Sequence, residues 1–146
     1  MCLNYEHKRN RPDDDVTAKR KQQVRNFKLK FSRMLTCFGT VTALCALDQP
    51  HDPASIVSVL RNPPLDRLLL VTQKDTQFSE LLTKLVDDYG WFLECTKLST
   101  TDLTKQFENR ETKLEMFDRA DKFGDIVFEI LSRVCDRTDY MRYVVI

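Results

Sequence analysis

Beyond Pro64 the spacing of apolar residues changes from run to stripe and back, and this alternation limits the fold more than any other feature of the chain. Residues 68–72 (LLLVT) form a continuous apolar run of strand length, of the kind buried on both faces of a parallel sheet. Apolar residues then fall at Phe78, Leu81, Leu82, Leu85, Val86 and Tyr89. Intervals of three and four trace one buried helix face, with Asp75 or Thr76 placed to cap its start and Gly90 to end it. Residues 91–98 (WFLECTKL) have the aromatic content of a second strand. Residues 99–102 read as a variant capping box. Leu103, Phe107, Leu114, Phe117, Ala120, Val127, Leu131 and Val134 then mark another helical stripe, supported by the i, i+4 pairs Glu115–Arg119, Asp118–Lys122 and Glu129–Arg133. Gly124 is a point at which that stripe could split, and residues 123–131 fit helix or strand. Residues 141–146 (MRYVVI) close the chain as a third strand. The order predicts a small βαβαβ-type α/β layer with parallel strands, covered on its second face by N-terminal helices. The alternative is a mostly α fold.

The chain before Pro64 differs in charge. Residues 1–33 hold ten Lys/Arg against four acids, a net of +6, whereas the remaining residues hold 13 basic and 18 acidic, a net of −5. Four segments follow: a disordered polar tail over 1–15, a basic helix running into an apolar one over 16–48, a Pro-containing connector over 49–64, and an α/β body over 65–146. Within the basic helix Val24, Phe27 and Phe31 form a thin apolar stripe that continues through Met34, Leu35 and Phe38. Residues 55–61 (SIVSVLR) read as two helical turns opened by Pro53, or as a strand. Residues 34–47 (MLTCFGTVTALCAL) are uncharged and follow Lys28, Lys30 and Arg33. They are too short for an ordinary membrane span and are expected to be a buried helix, the alternative being a signal or anchor segment.

With 42% apolar and 31% charged residues there is material for one core, and three glycines leave little for a phosphate-binding loop. The strand–helix junction at residues 72–76 (TQKDT) has none. Five cysteines, Cys2, Cys37, Cys45, Cys95 and Cys135, are scattered, without a C-x-x-C pair or a neighbouring histidine at ligand spacing. Neither structural zinc nor a disulfide framework is implied, and reduced thiols in a cytoplasmic or nuclear protein fit best. His7 and His51 lie in a polar tail and a Pro-flanked turn, so no nucleophile–base pair is visible. Asp87–Asp88 and the row Asp118, Asp121, Asp125 read as solvated helix faces rather than an acid–base pair. The sequence implies no catalytic residue, metal or cofactor.

Residues 67–77 (RLLLVTQKDTQ), with the helix and strand that follow, resemble the start of a receiver-type domain, in particular the degenerate receiver-like domain that precedes the PAS region in one class of cyclic-nucleotide phosphodiesterases. That resemblance implies an α/β regulatory domain. Phosphoryl-accepting receivers carry paired acids after the first strand and an Asp closing the third. Here Gln73–Lys74–Asp75 supplies one acid, and residues 125–130 (DIVFEI) end in Glu129–Ile130, which speaks against phosphotransfer.

The strongest functional signal is the basic arm, with Lys8, Arg9, Lys19, Arg20, Lys21, Arg25, Lys28 and Lys30 as contact residues. Its spacing approximates a bipartite nuclear-import pattern, and such clusters also bind phosphate backbones without base specificity. The sequence thus predicts a non-enzymatic regulatory or adaptor domain whose arm meets an unidentified protein. Nucleic acid or an anionic membrane surface are the alternative partners through residues 8–33. Other readings are a receiver-like domain and a small secreted or membrane-anchored protein. The oligomeric state is left open.

Overall fold

A computed structural model describes residues 16–47, 52–72 and 76–136. The expected βαβαβ layer is absent: 91% of the described residues are helical and none forms a strand, so the mostly α alternative is the fold. The receiver-like reading, which requires that layer, falls with it. The seven helices among the described residues are α1 Val16–Arg33, α2 Gly39–Cys45, α3 Pro53–Arg61, α4 Pro64–Thr72, α5 Ser79–Lys97, α6 Thr100–Gln106 and α7 Arg110–Asp136. A π-helical stretch, Met34–Phe38, joins α1 to α2 without a break, and a single 3₁₀ turn, Thr76–Phe78, leads into α5.

Each strand expectation fails for a local reason. Residues 68–72 lie in α4, where Leu68 and Thr72, four apart, are buried and Leu70 is 47% exposed. A short apolar run has the same composition as one buried side of a helix, and the spacing of the residues that are really buried decides between them. Residues 91–97 of the expected strand continue α5, with Leu98 as its extended C-cap, because Phe78, Leu85 and Phe92 recur every seven residues and are all buried. Gly90 therefore sits mid-helix rather than at a cap. A Cβ there would meet nothing within 4 Å. Gly90→Ala should then raise the unfolding free energy by about 0.5–1 kcal/mol, through helix propensity alone; a denaturant titration would show it. Gly124 likewise leaves α7 unbroken. It permits close approach, since a Cβ there would lie 3.1 Å from the Met34 Cε. Residues 123–131 are helical throughout. The strand expected at 141–146 and the tail over 1–15 lie outside the described residues.

Other local expectations hold. Ser99 accepts from the Asp102 N–H at 3.1 Å and caps α6. Pro53 opens α3, whose Asp52 cap accepts from the Ala54 and Ser55 N–H groups. A hydrogen bond from the Ser55 hydroxyl, with these backbone bonds behind it, holds the Asp52 carboxyl below its usual range.

The core is a trio of long helices. α1 and α7 run in the same direction: Arg20 meets Glu108, Lys30 meets Asp121 and Met34 meets Gly124, so partners advance together along both. α5 runs the opposite way, with Asp88 and Trp91 on Arg119 and Tyr89 beside Phe123. At the centre Phe31 stacks on Phe92 with ring centroids 4.3 Å apart and packs on Phe123 at 4.6 Å. Phe27 touches Trp91, Phe92, Phe107 and Phe117. Across the end of the trio α2 crosses α4 closely, at Gly39. Residues 34–47 are thus part of this packing, with Leu35, Thr42, Ala43 and Cys45 buried, and no described helix is long and apolar enough to cross a membrane.

Candidate interaction surface

The interior holds little that could act on a ligand. The buried hydroxyls of Thr42, Thr72 and Thr104 each donate to the carbonyl four residues earlier, at 2.7 Å, that of Thr42 reaching back to Phe38 in the π-helical stretch. Among the described residues no buried side-chain polar atom lacks a partner, and no three metal-ligating side chains converge. Cys45 and Cys135 are buried. Burial pushes the Cys95 thiol up, against the opposing pull of Arg119, so it resists becoming the nucleophilic thiolate. Asp88 departs from the expectation of a solvated face: it is only 17% exposed and pairs with Arg119 at 2.6 Å, while the Arg119 guanidinium lies 4.3 Å from the Trp91 ring centroid. Arg119 is therefore held across α5 and not by Glu115. Asp118–Lys122 and Glu129–Arg133 do form.

The basic residues of α1 divide by what they already hold. Val24, Phe27 and Phe31 anchor the helix in the core, so its cations are fixed in position relative to the bundle. Arg20 binds Glu108 at 2.8 Å. Lys30 binds Asp121 and stands 5.4 Å from the Phe117 ring centroid. Those two are consumed in tying α1 to the turn before α7 and to the middle of α7. Lys19 is exposed. Lys21 and Arg25 are exposed and Lys28 half-buried, and none of the three makes an ion pair among the described residues. Their spacing of four and three residues places them on one flank, over about 10 Å of helix. Lys8 and Arg9 lie outside the described residues.

Two features of the surface escaped sequence reasoning. Val86 and Leu93 on α5, read as core and as strand, are 42% and 43% exposed and seven residues apart. The signal for them was the width of the apolar set from Phe78 to Tyr89, broader than a single buried face requires. The chain matches no family model, no curated protein and no solved structure in the comparisons made.

Proposed function

We propose that this chain is a helical protein-interaction module, of regulatory or adaptor type, whose α1 cations engage an acidic segment of a partner protein. The observation that carries the reading is the division within α1. Arg20 and Lys30 are neutralised by the chain's own acids, whereas Lys21 and Arg25, both exposed, and the half-buried Lys28 pair with no acid among the described residues. A short acidic segment matches that footprint. A nucleic-acid backbone extends well past it, over a body in which residues 34–146 carry a net charge of −5 and α7 exposes Glu111, Glu115, Asp118 and Asp125. That field opposes a long polyanion.

The test is fluorescence anisotropy with a short poly-glutamate peptide and, separately, a single-stranded oligonucleotide of equal charge. The peptide should bind at low salt and weaken as salt rises. The variant Lys21→Glu, Arg25→Glu, Lys28→Glu should lose about tenfold or more, since exposed ion pairs contribute about 0.2–1 kcal/mol each and the reversed charges repel. Circular dichroism should be unchanged, because Lys21 and Arg25 are exposed and none of the three, the half-buried Lys28 included, belongs to the buried core. Binding of the oligonucleotide alone would move the reading to nucleic acid, and binding of neither would remove it.

A further inference from the structure

We infer that the outer face of α5 is a docking seam for an amphipathic helix of a partner protein, one that carries a large apolar side chain and a row of Lys or Arg beside it. The seam is separate from the α1 cations, so it goes beyond the charge reading above and does not depend on it.

Trp91 packs on Phe27 and Phe31 of α1 and under Arg119 of α7, and Asp88 pairs with that arginine. At about 100° per residue, Val86 and Leu93 lie about 140–160° around α5 from those two side chains. They therefore point away from α1 and α7 alike. Thr83, Val86, Gly90, Leu93 and Lys97 follow one another at intervals of three and four residues, and all are exposed. That is the a/d spacing by which one helix packs along another. It runs for about 21 Å, the length of about 15 helical residues.

Shape and charge then choose the occupant. Val86, Tyr89, Gly90 and Leu93 stand at i, i+3, i+4 and i+7, the four corners of a hole into which a facing helix inserts one side chain. Gly90 brings no Cβ to that hole, and nothing lies within 4 Å of where one would be. The space suits a large apolar side chain. Along one edge of the seam the exposed acids Glu80, Asp87 and Glu94 recur every seven residues. Glu94 holds Lys97 at 2.5 Å, whereas Glu80 and Asp87 make no ion pair among the described residues. Charges in this flanking position set partner choice between packed helices, and a row of acids selects a row of bases. The same row disfavours a second copy, because two such helices packed antiparallel would bring acids against acids. Two aliphatics standing alone would need no explanation. Set on an a/d seam, around an open glycine and beside an acidic row, they form a surface complementary to a basic amphipathic helix.

The experiment uses the full chain and two labelled helical peptides of about 15 residues, read by fluorescence anisotropy. One carries Leu along an a/d seam with Lys at the flanking positions, and the other is a scramble of the same composition. The phased peptide should bind about tenfold more tightly than the scramble. Gly90→Leu fills the hole and should weaken the phased peptide about tenfold. Its Tm should be unchanged or higher, because the site is open and leucine is the better helix former. Asp87→Lys with Glu94→Lys should cost about tenfold as well, through lost attraction and new repulsion. The variant Lys21→Glu, Arg25→Glu, Lys28→Glu should bind the phased peptide no more weakly than the parent chain does, which separates this seam from the α1 contact. Equal binding of the phased and scrambled peptides, or undiminished binding by Gly90→Leu, would overturn the seam. Sedimentation that finds the parent chain dimeric and Gly90→Leu monomeric would overturn the choice of partner and make a second copy the occupant.

Discussion

Replacing Phe31 with alanine should cost about 3–5 kcal/mol, the range for removing a fully buried aromatic ring without refilling its space. Against a total stability of about 5–15 kcal/mol for a domain, that is enough to leave a substantial unfolded fraction at ambient temperature. The ring is wholly inaccessible, stacked on Phe92, tilted against Phe123 and edge-on to Phe27, so it belongs to three helices at once. Phe92→Ala should cost a similar amount. The double variant should cost less than the sum, by about 0.5–1.5 kcal/mol for a coupled aromatic pair. Urea denaturation followed by circular dichroism measures all three. The contrast with the charge reversal at Lys21, Arg25 and Lys28 is informative, because those residues share a helix with Phe31. One flank of α1 should govern stability and the other only binding.

The second large effect is at the crossing of α2 and α4. A Cβ on Gly39 would stand 3.2 Å from the Pro64 carbonyl oxygen and 3.4 Å from the Leu68 Cγ. The nearer of these is backbone and cannot rotate away. Gly39→Ala should be close to neutral, since a gain of up to about 1 kcal/mol in helix propensity offsets a contact that must open by a few tenths of an ångström. Gly39→Leu cannot be absorbed in this way. It should push α4 off α2 and cost about 1–3 kcal/mol or more, the range for overpacking a filled site. Denaturation midpoints would rank Gly90→Ala above the parent chain and Gly39→Leu below it. Equal responses at the two glycines would mean that α2 and α4 do not cross as described.

What the sequence disclosed follows the range of the forces involved. The Val24, Phe27, Phe31 stripe, the Ser99 cap and the Pro53 helix start are set by neighbours within a few residues, and all were readable. The class of the fold was not. Residues 68–72 and 91–98 have strand-like composition, and the helical state of 68–72 and 91–97 comes from what they pack on: Leu68 against Gly39, and Phe92 against Phe31. Gly90 reads as a stop only if the stripe ends at Tyr89, and Phe92 carries it further. The basic residues were readable as a cluster. Which of them remain available depends on Glu108 and Asp121, acids 88 and 91 residues away from Arg20 and Lys30, and no local pattern reports a partner at that distance. Treating the basic segment as an appendage overlooked the same fact. Over Val16–Arg33 it is a wall of the core that carries a charged outer flank.

That dual role of α1 is the claim on which both the fold and the proposed surface depend, and native-state hydrogen exchange tests it most directly. The amides of residues 24–31 should be protected to the same free energy as those of residues 123–131 in α7, because the two helices share one core and should open only in global unfolding. Exchange in α1 that is orders of magnitude faster, with α7 still protected, would contradict the account: the basic helix would then be an arm that leaves a self-sufficient body, and its cations would have no fixed place on the bundle.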